Sequence, residues 1–294
     1  MKAIAFAKYG KPAMLKKTEV PYPHGFDASK NVVIKVHASS VNPVDKILLS
    51  GDLKMVWPVA KFPHAISYDV AGVVEEADSN GVFSVGQPVF TRVWGDESDG
   101  KKTPSYRGTT AEFCVARISD VVPKPDSISF EEAASIPLAG MTAFQALKKS
   151  GLKEGDSIFI SGGAGGVGTI AIQLAKHVFK AHLVATTASK GEKMDMCKEL
   201  GADVVIDYNA QNFVELYSND DGKKFDVCFD TTDESLDMTK VVKPGGSVVT
   251  IAGTPTLDEI RRIGGTAWIL KLVLKRKEKR KEYKAALANK ASWT

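Results

Sequence analysis

The sequence predicts an α/β protein in two parts: a β-rich region over residues 1–124, then a doubly wound parallel sheet over residues 125–294. Three observations predict it. Short apolar runs separated by Pro, Gly and Asn turns fill the first part. Strand-like and helix-like runs alternate in the second. That alternation opens on Ser157-Ile-Phe-Ile-Ser-Gly-Gly-Ala-Gly-Gly-Val-Gly168, which reads as a strand, a glycine turn and the start of a helix.

Taken in order, Met1-Lys-Ala-Ile-Ala-Phe-Ala turns polar too soon for a signal peptide and reads as a first strand. Val32–His37 is a strand by alternation and β-branched content, and Val70–Glu75 and Val89–Val93 follow it. Pro21-Tyr-Pro, Ser79-Asn-Gly and Gly86-Gln-Pro are the turns between. Such strands suit an irregular barrel or partly open sheet. Ser129 followed by Glu132 is a capping box at a helix start, and Gly140–Lys149 is a second helix. Five strands then follow: Ser157–Ser161, His182–Thr187, Asp203–Ile206, Asp226–Phe229 and Ser247–Ala252. Helices Val167–Phe179, Lys190–Leu200 and Ala210–Leu216 lie between most of them. A parallel sheet of this kind binds ligand outside the carboxyl ends of its strands.

Gly163, Gly165 and Gly168 fit G-x-G-x-x-G between a strand and a helix. One glycine permits the turn, one lets backbone approach a pyrophosphate, and one lets helix and strand pack closely. The segment Gly163, Ala164, Gly165, Gly166, Val167 and Gly168 is therefore a candidate dinucleotide cradle, with the helix N-terminus facing the phosphates. The competing reading is a glycine turn used only for packing.

Bulk properties set the boundaries. Of 294 residues, 44% are hydrophobic and 25% charged, as in soluble globular chains. No apolar run reaches the ~18–20 residues that span a bilayer, so no membrane partner is expected. Three scattered cysteines imply no disulfide framework and a reducing, cytoplasmic setting. Residues 271–290 carry nine Lys/Arg and two Glu, so the net +4 is local to a basic C-terminal stretch. Ala267–Asn289 is predicted to be a long helix, apolar early and basic late. It suits a solvated face better than a nucleic-acid site, because no aromatics interleave the charged run.

Several stretches together resemble a known family. They are Met1-Lys-Ala-Ile with Tyr9-Gly-Lys-Pro, Ser40-Val-Asn-Pro-Val-Asp45, Tyr68-Asp-Val-Ala-Gly-Val-Val and Ile136-Pro-Leu-Ala-Gly-Met-Thr-Ala. Gly162–Lys176 and Leu200-Gly-Ala-Asp-Val-Val-Ile-Asp-Tyr208 complete the set. Over nearly all of residues 1–256 the chain is similar to the zinc-free quinone and enone oxidoreductase branch of the medium-chain dehydrogenase/reductase superfamily. The resemblance implies a GroES-like catalytic domain before a Rossmann domain, and hydride transfer from NADPH to a quinone or an α,β-unsaturated carbonyl. Zeta-crystallin-like members also suggest a second reading: an NADPH-binding protein of low turnover acting as a nucleic-acid- or partner-binding module.

No Cys precedes residue 114 and no Cys-x-x-Cys occurs, so no metal is expected, and His64 reads as a packing histidine. Without a Lewis acid, an already polarised acceptor needs positioning, a donor for the developing enolate and a proton source. Asn42, Asp45, Tyr68 and Asp69 are the catalytic candidates. Asn42 would hold a substrate oxygen or the nicotinamide ribose, and Tyr68 would donate a hydrogen bond or proton. The plainer alternative makes Asn42-Pro43 a turn and Tyr68 a core aromatic. Ser67 stands where the family commonly has glycine.

NAD sites usually place an acid about 20 residues past the glycine turn. Here Thr186 and Thr187 hold that place, and Ser189, Lys190 and Lys193 follow, a set suited to the 2′-phosphate of NADPH. The two lysines otherwise read as the solvated start of a helix. From the family positions, Tyr208 lies against the adenosine phosphate. Thr142, Ala252 and Gly253 neighbour the nicotinamide, and Asp230 and Thr231 line the loop along the cofactor. The family also places a sixth strand and a return segment after the fifth strand. The expectation is a five-stranded sheet whose last edge Ala291–Thr294 could at most begin to cover, an exposed apolar patch near the C-terminus, an open substrate cleft, reduced stability and a family-type homodimer disfavoured.

Overall fold

The computed structural model describes residues 1–24, 26–52, 54, 59, 61–93, 108–252 and 292–293. The chain divides into two compact units, one from Met1 to Leu138 and one beginning at Ala139.

The first unit is built from β1 (Lys2–Phe6), β2 (Lys16–Glu19), β3 (Asn31–Ser40), α1 (Pro43–Ser50), β4 (His64–Ala65), β5 (Asp69–Glu76), β6 (Pro88–Arg92), β7 (Phe113–Arg117), β8 (Val122–Pro123) and α2 (Phe130–Ser135). Its described strands form two antiparallel sheets, ordered β2-β1-β4 and β7-β3-β5-β6-β8. Alternation decides the faces. In β6 and β7, Val89, Thr91, Cys114 and Ala116 turn inward while their neighbours are only half-buried. β5 is covered on both sides: Val70 and Val74 join Val32, Ile34 and Val89, whereas Ala71 meets Ala133 and Ala134 of α2.

That alanine contact lets α2 sit close to the sheet, so the units part after Leu138, later than the 124/125 boundary read from the sequence. The expected capping box starts α2, with Glu132 N donating to Ser129 Oγ at 3.1 Å and Ser129 N to Glu132 Oε2 at 2.7 Å. α1 was not expected. It starts at Asn42, has Pro at its first turn and Asp45 at its third position, and stops at Gly51 with φ 77°.

The second unit holds most of α3 (Pro137–Ser150), then β9 (Ser157–Ile160), α4 (Gly166–Gln173), β10 (Leu183–Ala188), α5 (Glu192–Glu199), β11 (Val204–Asp207), α6 (Phe213–Tyr217), β12 (Phe225–Asp230), α7 (Ser235–Val241), β13 (Val242–Thr250) and β14 (Ser292–Trp293). Its strands make one parallel sheet, ordered β11-β10-β9-β12-β13-β14. Successive residues go to opposite faces. Ile158 and Ile160 pack with Leu147, Ala171 and Ile172, while Phe159 between them packs with Phe213, Met238 and Val241. Both faces are thus covered by helices, which is why these strands read as continuous apolar runs. The chain order reverses between β9 and β12, the switch point of a doubly wound sheet.

Two expectations need correction. The helix expected over 167–179 is interrupted: α4 ends at Gln173, and Leu174–Val178 widens into a π-helical turn closed by Phe179 N on Leu174 O. Among the described residues the sheet has a sixth strand, begun by Ser292 and Trp293, which pair in parallel with Ser247 and Val248 and so supply partners at those two positions of the last expected strand. The long helix and apolar patch expected near 267–289 lie outside the described residues, and no described helix is long and apolar enough to cross a membrane. Cys114, Cys197 and Cys228 are all buried and unpaired with one another; burial pushes the Cys114 thiol up to about 12 and raises the other two.

Candidate functional site

The carboxyl ends of β9, β10 and β12 carry most of the residues that the sequence singled out in the second unit. After Ile160 the chain turns at Gly162, whose φ of 64° favours glycine. Its N–H donates to Thr187 Oγ1 at 2.9 Å, and Gly163 N donates to Thr187 O at 2.9 Å. A Cβ on Gly163 would stand 2.2 Å from Thr186 Oγ1, and one on Gly168 would stand 2.3 Å from Gly162 O. These two glycines are therefore demanded by packing.

Gly165 and Gly166 are different. A Cβ on Gly166 would meet nothing within 4 Å, and one on Gly165 only Gly162 O at 3.2 Å. Among the described residues the space above Gly166 is open. The N–H groups of Gly166 and Val167, at the start of α4, take no partner among the described residues. Open space, free backbone donors and the positive end of a helix together suit a phosphate. Ala164 and Val167 flank this turn and pack against the apolar cluster beneath it.

The neighbouring strand ends divide into anchors and open groups. Thr186 is fully buried and donates to Ile160 O at 2.6 Å; this corrects its placing as a cofactor contact, since its hydroxyl is spent joining β10 to β9. Thr187 is likewise held by Gly162. Ser189, Lys190 and Lys193 follow on the loop and first turn of α5, with both lysines exposed and neither paired to a carboxylate among the described residues. Tyr208 stands 57% exposed just past β11. Thr142 is half-buried in α3. Thr231 is tied to Ser161 by Oγ1 to Ser161 O at 2.8 Å, and Ala252 N donates to Thr250 Oγ1 at 3.1 Å. Asp230 is fully buried beneath these loops. Gly253 lies outside the described residues.

In the first unit, three of the four catalytic candidates, Asn42, Asp45 and Asp69, come together as one polar cluster. Asn42 Nδ2 donates to Asp69 Oδ2 at 2.9 Å, which also accepts from Ser40 Oγ at 2.9 Å. Asp69 Oδ1 accepts from Leu138 N at 2.9 Å. Asp45 accepts from Asn42 N at 2.7 Å and from Ser67 N at 3.0 Å. Burial raises the Asp69 carboxyl against the lowering effect of Asn42, Ser40 and Leu138 N. Burial also pushes Asp45 up to about 6, with Asp69 nearby adding to the rise.

Tyr68 is 1% exposed and packs with Phe6, Leu48, Leu49 and Ile66, with the Arg92 guanidinium 5.8 Å from its ring centre. The structure thus corrects the reading of Tyr68 as a proton donor: it is a core aromatic. Asp45 and Asp69 are internal supports, and only Asn42 of the four is more than marginally exposed. His64 is buried with its ring 5.7 Å from that of Phe6, as a packing histidine.

Sequence reasoning missed Ser40, Ser161 and Thr250, whose hydroxyls hold the carboxylates. Only Ser67 carried a signal. Its φ of 74° lies in the left-handed region that favours glycine, held by Asp45, which accepts from its N–H at 3.0 Å, and by Thr110 Oγ1, which donates to its hydroxyl at 2.9 Å.

Residues 28–126 match the alcohol dehydrogenase GroES-like domain, and residues 166–277 match the zinc-binding dehydrogenase family. A 2-methylene-furan-3-one reductase of Solanum lycopersicum is 40% identical over 259 residues, covering 87% of this chain and 63% of that protein. A chloroplastic NADPH-dependent alkenal/one oxidoreductase of Arabidopsis thaliana is 37% identical over 258 residues, covering 87% and 64%. The chain thus spans just under two thirds of the length of these curated relatives. The solved structure of the quinone oxidoreductase from Coxiella burnetii superposes with a TM-score of 0.74 at 32% identity, covering 90% of this chain and 78% of that one.

Proposed function

The chain belongs to the quinone oxidoreductase branch of the medium-chain dehydrogenase/reductase superfamily, and on that premise we propose that it reduces quinones or α,β-unsaturated carbonyls with NADPH. The observation that carries the cofactor half is the open glycine turn. Among the described residues there is space above Gly166, and the N–H groups of Gly166 and Val167 are free, as a bound pyrophosphate requires. Lys190 and Lys193 supply unpaired positive charge next to the strand end where an NAD site would carry an acid, which supports a 2′-phosphate.

Reduced nicotinamide supplies the hydride when bound. What the chain must add is orientation and a donor for the oxygen that gains charge as the acceptor is reduced. Asn42 is the group in the first unit that could serve, since its amide is partly exposed and oriented by Asp69. Tyr68 is too deeply buried to hand over a proton, so water supplies it. We read the chemistry as zinc-independent, because thiolate ligands are lacking: the three cysteines of the chain are each buried in separate places. Those free thiols also support a reducing compartment, which we take to be the cytoplasm. The alternative module reading rests on the basic run 271–290, which lies outside the described residues, and no observation favours it.

The test is NADPH oxidation over a panel of quinones, enones and saturated ketones, with NADPH and NADH titrated in parallel. Turnover of conjugated acceptors only, with NADPH bound more tightly, is the expected result. Equal affinity for NADH, or turnover of saturated ketones alone, contradicts the reading.

A further inference from the structure

Asp230 sits where a dinucleotide crevice should be lined, yet it reaches no surface. Its Oδ1 accepts from Thr232 N at 3.0 Å, from Glu234 N at 3.0 Å and from Ser161 Oγ at 3.3 Å, and its Oδ2 accepts from Thr250 Oγ1 at 2.8 Å. These partners come from the ends of β9, β12 and β13, the strands on either side of the switch point and the one beyond. Ser161 Oγ in turn accepts from Thr231 N at 2.9 Å.

We propose that Asp230 is a positioning residue that gives the dinucleotide crevice its shape by tying these three strand ends together, without touching the cofactor. The link to the phosphate turn is steric. Thr231 and Thr232 lie so close over Gly162 that a Cβ there would stand 2.7 Å from Thr231 Oγ1 and 2.9 Å from Thr232 Cγ2. Gly162 is in turn bonded to Thr187. Whatever fixes the loop after β12 therefore fixes the glycine turn. One buried side chain holds four donors, so its removal frees both loops and leaves buried polar groups without partners.

Asparagine can replace it in large part. An amide oxygen in the Oδ1 position keeps the two backbone N–H groups. The amide NH₂ in the Oδ2 position can donate to Thr250 Oγ1, which has Ala252 O within reach as its own acceptor. Alanine keeps none of this.

The inference rests on the NADPH reading, and its test separates the two. The chain and its Asp230→Ala and Asp230→Asn variants are titrated with NADPH, and hydrogen exchange is followed on each free chain. Asp230→Ala should weaken NADPH at least about tenfold and speed exchange at the Gly162, Gly163, Thr232 and Glu234 amides, with the β9–β10 ladder unchanged. Asp230→Asn should stay within about threefold. A merely structural role would lower the folded fraction and loosen the whole sheet while leaving the dissociation constant of the folded chain unmoved; that result overturns the proposal. So does an Asp230→Asn variant as weak as Asp230→Ala. If Asp230→Ala does not fold, Thr250→Val decides, with faster exchange at Ala252 N and weaker NADPH expected, and native values for both counting against. If the native chain fails to bind NADPH, the functional reading fails, and exchange at the loop amides still decides the role of Asp230.

Discussion

Asp69 and Asp230 are each 0% exposed at the end of a strand, one at the head of β5 and the other at the tail of β12, and they keep different company. Asp69 shares its surroundings with a second carboxylate, Asp45, and between them they hold Ser40, Asn42, Ser67 and Leu138. The donors they hold are two side-chain groups, Ser40 Oγ and the Asn42 amide, and the backbone N–H groups of Asn42, Ser67 and Leu138, each satisfied by a carboxylate of the protein itself. Asp230 holds the loops beside a glycine turn whose next N–H groups are free, and which is open at Gly166, among the described residues. A buried polar cluster alone therefore does not mark a ligand site. What marks it is a rigid cluster beneath backbone donors that the protein leaves unsatisfied.

The largest test of that contrast uses two glycines of one turn. Gly168→Ala drives a Cβ into the Gly162 carbonyl and should cost on the order of 3 kcal/mol in denaturant unfolding, with NADPH binding lost as well. Gly166→Ala meets nothing and should unfold like the native chain while binding NADPH at least about tenfold more weakly, because the new methyl occupies the phosphate's place. A Gly166→Ala chain with native affinity would remove the phosphate from this turn.

Asp45 gives the next effect. Its carboxyl titrates near 6 in the folded chain against an ordinary 3.8, so folding takes up a proton between those values. The stability it contributes is complete below about pH 4 and is lost as pH rises through about 6, amounting to about 3 kcal/mol. Urea unfolding at pH 4 and pH 7.5 should show a smaller decline for Asp45→Asn than for the native chain. Parallel pH profiles would mean that burial does not perturb this group.

Ser67 offers a smaller one. Ser67→Gly and Ser67→Ala both lose the hydroxyl that Thr110 bonds, so their difference isolates the backbone at φ 74°. The glycine variant should be the more stable by about 1 kcal/mol. Equal stability would show that the left-handed conformation carries no strain. Last, Lys193→Glu should weaken NADPH a few-fold and leave NADH unchanged, since only the 2′-phosphate is repelled. Equal losses for both cofactors would place Lys193 away from that phosphate.

The parallel unit was legible because its signals are local. Strand, glycine turn and helix lie within residues 157–176, and a continuous apolar strand next to a helical period has few other readings. The antiparallel unit is less so. Asn42-Pro43-Val44-Asp45 is a helix start, with a cap, a proline in the first turn and an acid at the third position, yet family likeness made it a substrate site. Tyr68 and Asp69 could not be told from cleft residues, because their burial depends on Phe6, Leu48 and Leu138, far away in sequence. Thr186 was misread for a related reason. Its place at a strand end suggested a ligand, but the alternation of β10 turns it under Gly163. Motifs gave the backbone path, and which side of it each side chain takes was settled by packing.

The three thiols have a chemical consequence of their own. Conjugated enones and quinones are soft electrophiles that add to thiolates, so a chain with the proposed activity would be exposed to alkylation by its own substrates. Cys114, Cys197 and Cys228, the whole cysteine complement, are out of solvent, and burial holds each toward the neutral thiol. The folded chain therefore offers such compounds no ready thiolate, and addition at cysteine has to wait for unfolding.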